Sequence, residues 1–113
     1  RGHNRVNQTG NPTTHAEMEA IRDAGVLEDY TDTELYTTMM PCRMCAGAII
    51  HFGIRTVVIG NSQVVNRTVE YMREAGVEVF ELHDPECIRI RAEGHQRHPE
   101  RYLPTAGIGV RDK

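Results

Sequence analysis

Residues 34–60 read ELYTTMMPCRMCAGAIIHFGIRTVVIG, and the change of rhythm inside this stretch decides the fold. From Glu34 to Met39, Leu35, Thr37 and Met39 alternate with Tyr36 and Thr38, and β-branched and aromatic side chains of this kind suit a pleated strand. Pro41 ends that strand. Cys42 to Phe52 carries Ala, Gly, Ile and Met with almost no charge, so it reads as a buried helix opened by Pro41 and stopped by Gly53. Val57, Val58 and Ile59 then make a short apolar run ending at Gly60, the pattern of a strand covered on both faces. Strand, helix and buried strand in this order form a βαβ crossover, whose parallel strands require the helix between them.

The same alternation continues outward. Asn66 to Ala75 is amphipathic, with Val69, Met72 and Arg73 at helical spacing and Gly76 as its stop. Val77 to Leu82 reads as a third strand, and Asp84 caps a further helix that starts at Pro85 or Glu86 and runs toward Ala92. Upstream, Thr13 and Thr14 offer cap hydroxyls to a helix over residues 14–24 that ends at Gly25. Residues 1–12 lack an apolar rhythm and read as a loop or the tail of an extended segment. The expected architecture is an α/β layer sandwich.

At 113 residues, the chain has room for one small domain. A formal charge of −3, with no Lys/Arg run against an aromatic stripe, lacks the footprint of a protein that grips a long polynucleotide. The longest mostly apolar stretch, Ala46 to Ile54, contains His51 and falls far short of the roughly 20 residues that a bilayer span needs. Three cysteines is an odd count, and two of them sit three apart, which suits a metal in a reduced compartment better than a disulfide framework. The expected location is the cytosol.

Two motifs carry chemistry: His15-Ala16-Glu17 at the start of the first helix, and Pro41-Cys42-Arg43-Met44-Cys45 at the start of the second. Cysteines at i and i+3 share one helix face, and a soft set of two thiolates and an imidazole suits Zn²⁺. Three protein ligands leave the fourth tetrahedral position open, as catalytic rather than structural zinc sites do. Glu17, splayed from the first helical turn, is the candidate proton carrier.

H-x-E followed by P-C-x-x-C is the signature of zinc nucleobase deaminases. The chain resembles the cytidine deaminase-like superfamily, within it the short-chain cytosine/guanine deaminase group, and most of all the fungal-type cytosine deaminases. The resemblance runs from about Gly2-His3-Asn4 through Leu35-Tyr36-Thr37-Thr38, Gly47-Ala48-Ile49-Ile50, Gly53-Ile54 and Gly60 to about residue 88. It implies a three-layer α/β/α sandwich with a central mixed sheet, one zinc ion per chain, a homodimer and a small nucleobase substrate. It also implies that Asn4 hydrogen-bonds the ring amide of the base and that the backbone at Ala16 and Met40 lines the same pocket. Members carry a further helix and strands before the position of Gly2, so the single deaminase domain over residues 1–113 is expected to be N-terminally incomplete.

Two departures from the pattern concern substrate choice. Val64-Val65 stands where the fungal-type enzymes place a Phe that closes the pocket. Their C-terminal carboxylate, which reads the exocyclic amine, has no counterpart in Tyr102 to Gly109, where Tyr102 is the candidate stacking residue. Cytosine or an isocytosine-like amino-pyrimidine is therefore the expected substrate, with guanine as a second base. Cys45-Ala46-Gly47-Ala48 and His15-Ala16-Glu17-Met18 also resemble tRNA-specific adenosine deaminases, although Asn61 to Asn66 is shorter and less basic than the insertion of that branch. A structural zinc module is the non-enzymatic alternative. Cys87 is expected to be an inert buried thiol, and His51 a packed or interface histidine. His3, His95 and His98, like Arg89, Arg91, Arg97 and Arg101, are expected to be solvated.

Overall fold

In the computed structural model, which describes residues 1–63 and 67–99, the quoted stretch forms the expected strand, helix and strand. The element order is α1 (Val6–Thr9), α2 (Ala16–Ala24), β1 (Glu34–Met39), α3 (Arg43–Phe52), β2 (Thr56–Asn61), α4 (Thr68–Glu74), β3 (Glu78–Glu81) and α5 (Pro85–Arg97). The three strands pair in the order β1-β2-β3, all parallel. Register runs straight across the sheet, with Leu35 opposite Val57 and Val57 opposite Val79. Among the described residues no strand is antiparallel, so the antiparallel part of the expected mixed sheet is not represented in them.

Alternation along each strand assigns the layers. Val57, Ile59 and Val79 point to the face covered by α3 and α4, where they pack with Ile49, Val69 and Met72. Ile49, Ile59 and Met72 are fully buried, and each such side chain contributes about 1.5–3 kcal/mol by leaving water. α2 packs against α3 and β1. α5 lies on the opposite face of the sheet, where it meets β2 and β1. Asp84 fixes where it begins: its Oδ1 accepts from the amides of Glu86 (2.8 Å) and Cys87 (3.3 Å), and Pro85 takes the first helical turn.

The sequence reading of residues 1–12 as loop is corrected by α1. Asn4 Oδ1 accepts from the Val6 amide at 3.0 Å, and the Thr9 hydroxyl donates to the Arg5 carbonyl at 2.9 Å, so local side-chain bonds close a single turn that no apolar rhythm announces. α4 begins at Thr68, and the expected start at Asn66 lies outside the described residues.

Gly60 is required by close approach. A Cβ there would run into Cys87 Sγ and stand 3.0 Å from the Thr38 carbonyl oxygen. A glycine on the α5 side of β2 thus lets the helix lie close against the sheet. Gly60→Ala is expected to cost roughly 1–3 kcal/mol, as overpacking does, in urea unfolding of the zinc-loaded chain. Cys87→Ala in the same background should recover part of that loss. A Gly60→Ala chain as stable as the wild type would show that α5 is not seated there.

Candidate metal centre and active-site cavity

His15 and Cys42 are both N-cap residues, of α2 and α3 respectively, and neither spends its side chain on capping. Their backbones are extended, with ψ of 159° and 176°, so the side chains leave the helix starts sideways rather than along the helical rows. Cys45 follows one turn into α3 and is fully buried. The corner that delivers Cys42 is held from two sides: the Met40 amide donates to the Asn61 carbonyl at 2.8 Å, and the buried Thr68 hydroxyl donates to the Pro41 carbonyl at 2.7 Å.

The outcome is a three-ligand cluster. His15 Nδ1 lies 3.5 Å from Cys42 Sγ and 3.6 Å from Cys45 Sγ, and all three ligand atoms fall within 4.8 Å of one another. Zinc–sulfur bonds of about 2.3 Å and zinc–nitrogen bonds of about 2.0 Å at tetrahedral angles place N and S roughly 3.5 Å apart, so the donor set fits the ion in both chemistry and size. It is the one such group of His, Cys and carboxylate side chains among the described residues.

Without the ion the two thiols are pushed in opposite directions. The Cys45 thiol donates to Cys42, which, with help from His15 and against the effect of burial, holds the Cys42 thiol down to about 4. The same bond, followed by burial, pushes Cys45 far above the ordinary thiol range. The hydrogen bond to Cys42 raises His15, with burial working against it. Two helix N-termini add positive potential that favours the thiolate.

Glu17 sits two residues after His15, a spacing that a regular helix would turn to a different side. Because His15 is outside the helix, both side chains reach the same cavity. Glu17 is 9% exposed, and burial raises its carboxyl above the ordinary range, opposed by its own backbone N–H and by His15.

The cavity, about 360 Å³, is lined by Glu17, His15 and Cys42 together with Asn4, Ala16 and Met40. All the sequence-derived substrate contacts are therefore gathered there except Tyr102, which lies outside the described residues, as do Val64 and Val65. Asn4 gets there because Gly2 passes so close to α2 that a Cβ would collide with the Ala20 amide and the Ala16 carbonyl. With Asn4 Oδ1 on the Val6 amide, its Nδ2 is the group turned to other partners.

Sequence reasoning missed the rest of the lining. Asn7 and Gln8 arrive with α1, and Thr37 and Thr38 with the end of β1. Cys87, expected to be buried and inert, is half-buried and lines the cavity with Ile90 and Arg91. Arg91 and His98, expected on a solvated face, also contribute to its wall, although His98 remains exposed. The i, i+3, i+4 spacing of Cys87, Ile90 and Arg91 was the available signal, obscured because one of the three is charged. His51 is exposed and makes an edge contact with Phe52.

Comparison with known proteins agrees with this geometry. Residues 1–61, which contain all three ligands, match the model of the cytidine and deoxycytidylate deaminase zinc-binding region. The chain is 38% identical over 109 residues to a cytosine deaminase of Candida albicans (strain SC5314 / ATCC MYA-2876), covering 95% of this chain and 73% of that protein. It is 44% identical over 64 residues to a tRNA-specific adenosine deaminase of Buchnera aphidicola subsp. Schizaphis graminum (strain Sg), covering 54% of this chain and 42% of the relative. With a tRNA-specific adenosine deaminase of Haemophilus influenzae (strain ATCC 51907 / DSM 11121 / KW20 / Rd) the identity is 46% over 54 residues, or 45% and 31% of the two chains.

The thiol chemistry is open to direct measurement. A lowered pKa leaves thiolate present above it, and that thiolate is lost only as pH falls through about 4 at Cys42, while Cys87 is raised, chiefly by burial. In the metal-stripped chain at mildly acidic pH, iodoacetamide should therefore modify Cys42 before Cys87 and Cys45, as mapped by peptide mass spectrometry. Zinc should protect Cys42 and Cys45 but leave Cys87 reactive. Labelling of Cys87 first would overturn the thiolate assignment.

Proposed function

The chain belongs to the cytidine and deoxycytidylate deaminase zinc-binding family, and on that premise we propose that it deaminates a free amino-pyrimidine, cytosine or isocytosine, with Glu17 as its proton carrier. It is a zinc-dependent hydrolase acting on C–N bonds. The observation that carries the substrate reading is the convergence, on one small cavity, of an incomplete ligand set, a buried carboxylate and the Asn4 amide. A volume near 360 Å³ lies at the small-molecule end of ligand pockets.

Bound at His15, Cys42 and Cys45, zinc supplies Lewis-acid activation of water. The chain's own residues do the rest. Asn4 and the backbone at Ala16 and Met40 hold the ring so that the carbon bearing the amine faces Glu17. Glu17 takes a proton from the attacking water and hands it to the departing nitrogen, so that water enters, ammonia leaves and a carbonyl replaces the amine. Burial, by raising the Glu17 pKa, moves it toward the pH at which such a relay works best.

A free base is favoured over tRNA by the extent of the likeness. The cytosine deaminase matches along 95% of this chain, whereas the two tRNA-specific relatives match 54% and 45% of it. A net charge of −3 also offers few contacts for phosphates. The tRNA reading is kept as second because identity is higher, at 44–46%, over those shorter matches. We assign residues 1–113 to one deaminase domain that works as a cytoplasmic homodimer. The thiolate ligand pair suits a reducing compartment, no helix of the described residues is long and apolar enough to cross a membrane, and Phe52, 44% exposed at the end of α3, offers apolar surface to a second copy.

Ammonia release from cytosine, isocytosine, guanine, adenine and cytidine, alongside inosine formation in a tRNA anticodon stem-loop, tests the assignment. Turnover of cytosine or isocytosine is expected. Inosine in the stem-loop with every free base left intact would move the chain to the tRNA branch. Glu17→Gln should keep its zinc and lose about 10²–10⁴-fold in kcat, the usual contribution of a general acid–base group. A Glu17→Gln enzyme with near-normal kcat would place the relay elsewhere.

A further inference from the structure

The polar groups of the cavity divide into those already committed and those left over. His15 and Cys42 belong to the metal set, and Glu17 stands beside them on α2. The Thr37 hydroxyl donates to the Met39 carbonyl at 2.9 Å. Arg91 Nε donates to Met39 Sδ at 2.9 Å, its NH1 lies 3.5 Å from His95 Nδ1, and both Arg91 and His98 are engaged by further groups of the chain. Among the described lining residues, the uncommitted amides and hydroxyls are those of Asn7 and Gln8 on α1 and of Thr38 on β1, together with Nδ2 of Asn4. All four are neutral.

Asn4 Oδ1 accepts from the Val6 amide, so Asn4 turns a donor to the base. In cytosine the C2 carbonyl stands beside the N1–H, and this edge presents one acceptor and one donor. A donor on Asn4 answers the carbonyl alone, and the N–H needs an acceptor. The carboxamides of Asn7 and Gln8 follow three and four residues after Asn4, both exposed and both on the wall of the same cavity. A carboxamide carries an acceptor oxygen beside its N–H donors, the pattern with which Asn and Gln read base edges.

We propose that Asn7 and Gln8 are specificity-determining residues whose carboxamide oxygens accept the ring N–H next to the carbonyl bound by Asn4, so that the site selects a neutral free base over its nucleoside or nucleotide. This rests on the deaminase reading above and deepens it. The amine faces Glu17, and the edge away from it faces α1. A sugar on N1 removes the donor that the carboxamides accept, and a phosphate meets, among the described lining residues, only cations that other groups already engage.

Calorimetry of the zinc-loaded chain with uracil, 1-methyluracil and uridine 5′-monophosphate reads binding without turnover, since none of them carries an amine to lose. Uracil should bind at least about threefold more tightly than 1-methyluracil, the lower end of what one neutral hydrogen bond contributes. In the N7L/Q8M double variant uracil should weaken by about three- to tenfold while 1-methyluracil keeps its affinity. The N7D/Q8E double variant keeps both acceptors and should keep the preference. Zinc content and circular dichroism verify folding, and if N7L/Q8M does not fold, N7L and Q8M singly decide by the same comparison.

A wild-type preference below about twofold, measurable binding of neither ligand included, overturns the proposal. Unchanged uracil affinity in N7L/Q8M also overturns it, because the methyl group would then be excluded by shape or the N–H read by another group such as Thr38. Tighter binding of uridine 5′-monophosphate than of uracil does the same by revealing a cation open to phosphate. Failure of the deaminase reading itself would show separately, as absence of ammonia from every base.

Discussion

Two sulfurs and one imidazole nitrogen must meet within a few ångström, and the backbone can arrange this only by bringing two helix starts together. His15 and Cys42 do so as N-cap residues with extended backbone, and the third ligand follows from the pitch of α3. The Met40-Pro41 corner decides whether they meet. Its amide and carbonyl are held by Asn61 at the end of β2 and by Thr68 at the start of α4, so the metal site is anchored to the parallel crossover rather than to a free loop. The apolar core under β2 and the cluster above it are thus one construction: loosening Ile49, Ile59 or Met72 would shift the elements that aim Cys42 and Cys45.

How much of this could be read beforehand varies with the source of each feature. β1 falls on Glu34–Met39 as its alternation dictates, and α5 begins at Pro85 because Asp84 is a strong cap. Such features are local, and local sequence suffices. α1 escaped notice because its four residues are set by the side chains of Asn4 and Thr9 and not by a hydrophobic period. The meeting of Glu17 with His15 needed a torsion angle, the extended ψ of 159° at the cap, that no residue type encodes by itself. Arg91 was obscured for a different reason. Which side of α5 turns inward depends on Gly60 admitting Cys87 to the sheet, a contact between residues 27 apart in the chain.

Charge ties the pieces together. Two helix N-termini and an imidazole make a positive neighbourhood in which the Cys42 thiol ionises readily while the Cys45 thiol keeps its proton. A zinc ion takes the place of that proton and of the bond it makes, so metal binding and thiol ionisation are one event, and lowering the pH sets protons against the metal. Glu17 experiences the opposite environment. Burial disfavours its charge, while its own amide and His15 favour it, and burial is the larger influence.

The metal ligands and the facing wall of the cavity come from different parts of the chain. The metal ligands, Glu17 and Asn4 all fall within residues 1–61, the segment matched by the zinc-binding family, whereas the wall bearing Arg91 is built by α5. Relatives named for cytosine and for tRNA adenosine both resemble this chain over the segment that holds the metal ligands, so that segment by itself does not distinguish their substrates. Discrimination has to come from groups that touch the ring away from the reacting carbon, because only they differ in energy between one base and another. In this fold α5 brings Cys87, Ile90 and Arg91 to the cavity wall from across the sheet, its approach set by Gly60 and its start by Asp84. A change of helix face there would alter the cavity wall while leaving the ligands and their corner untouched.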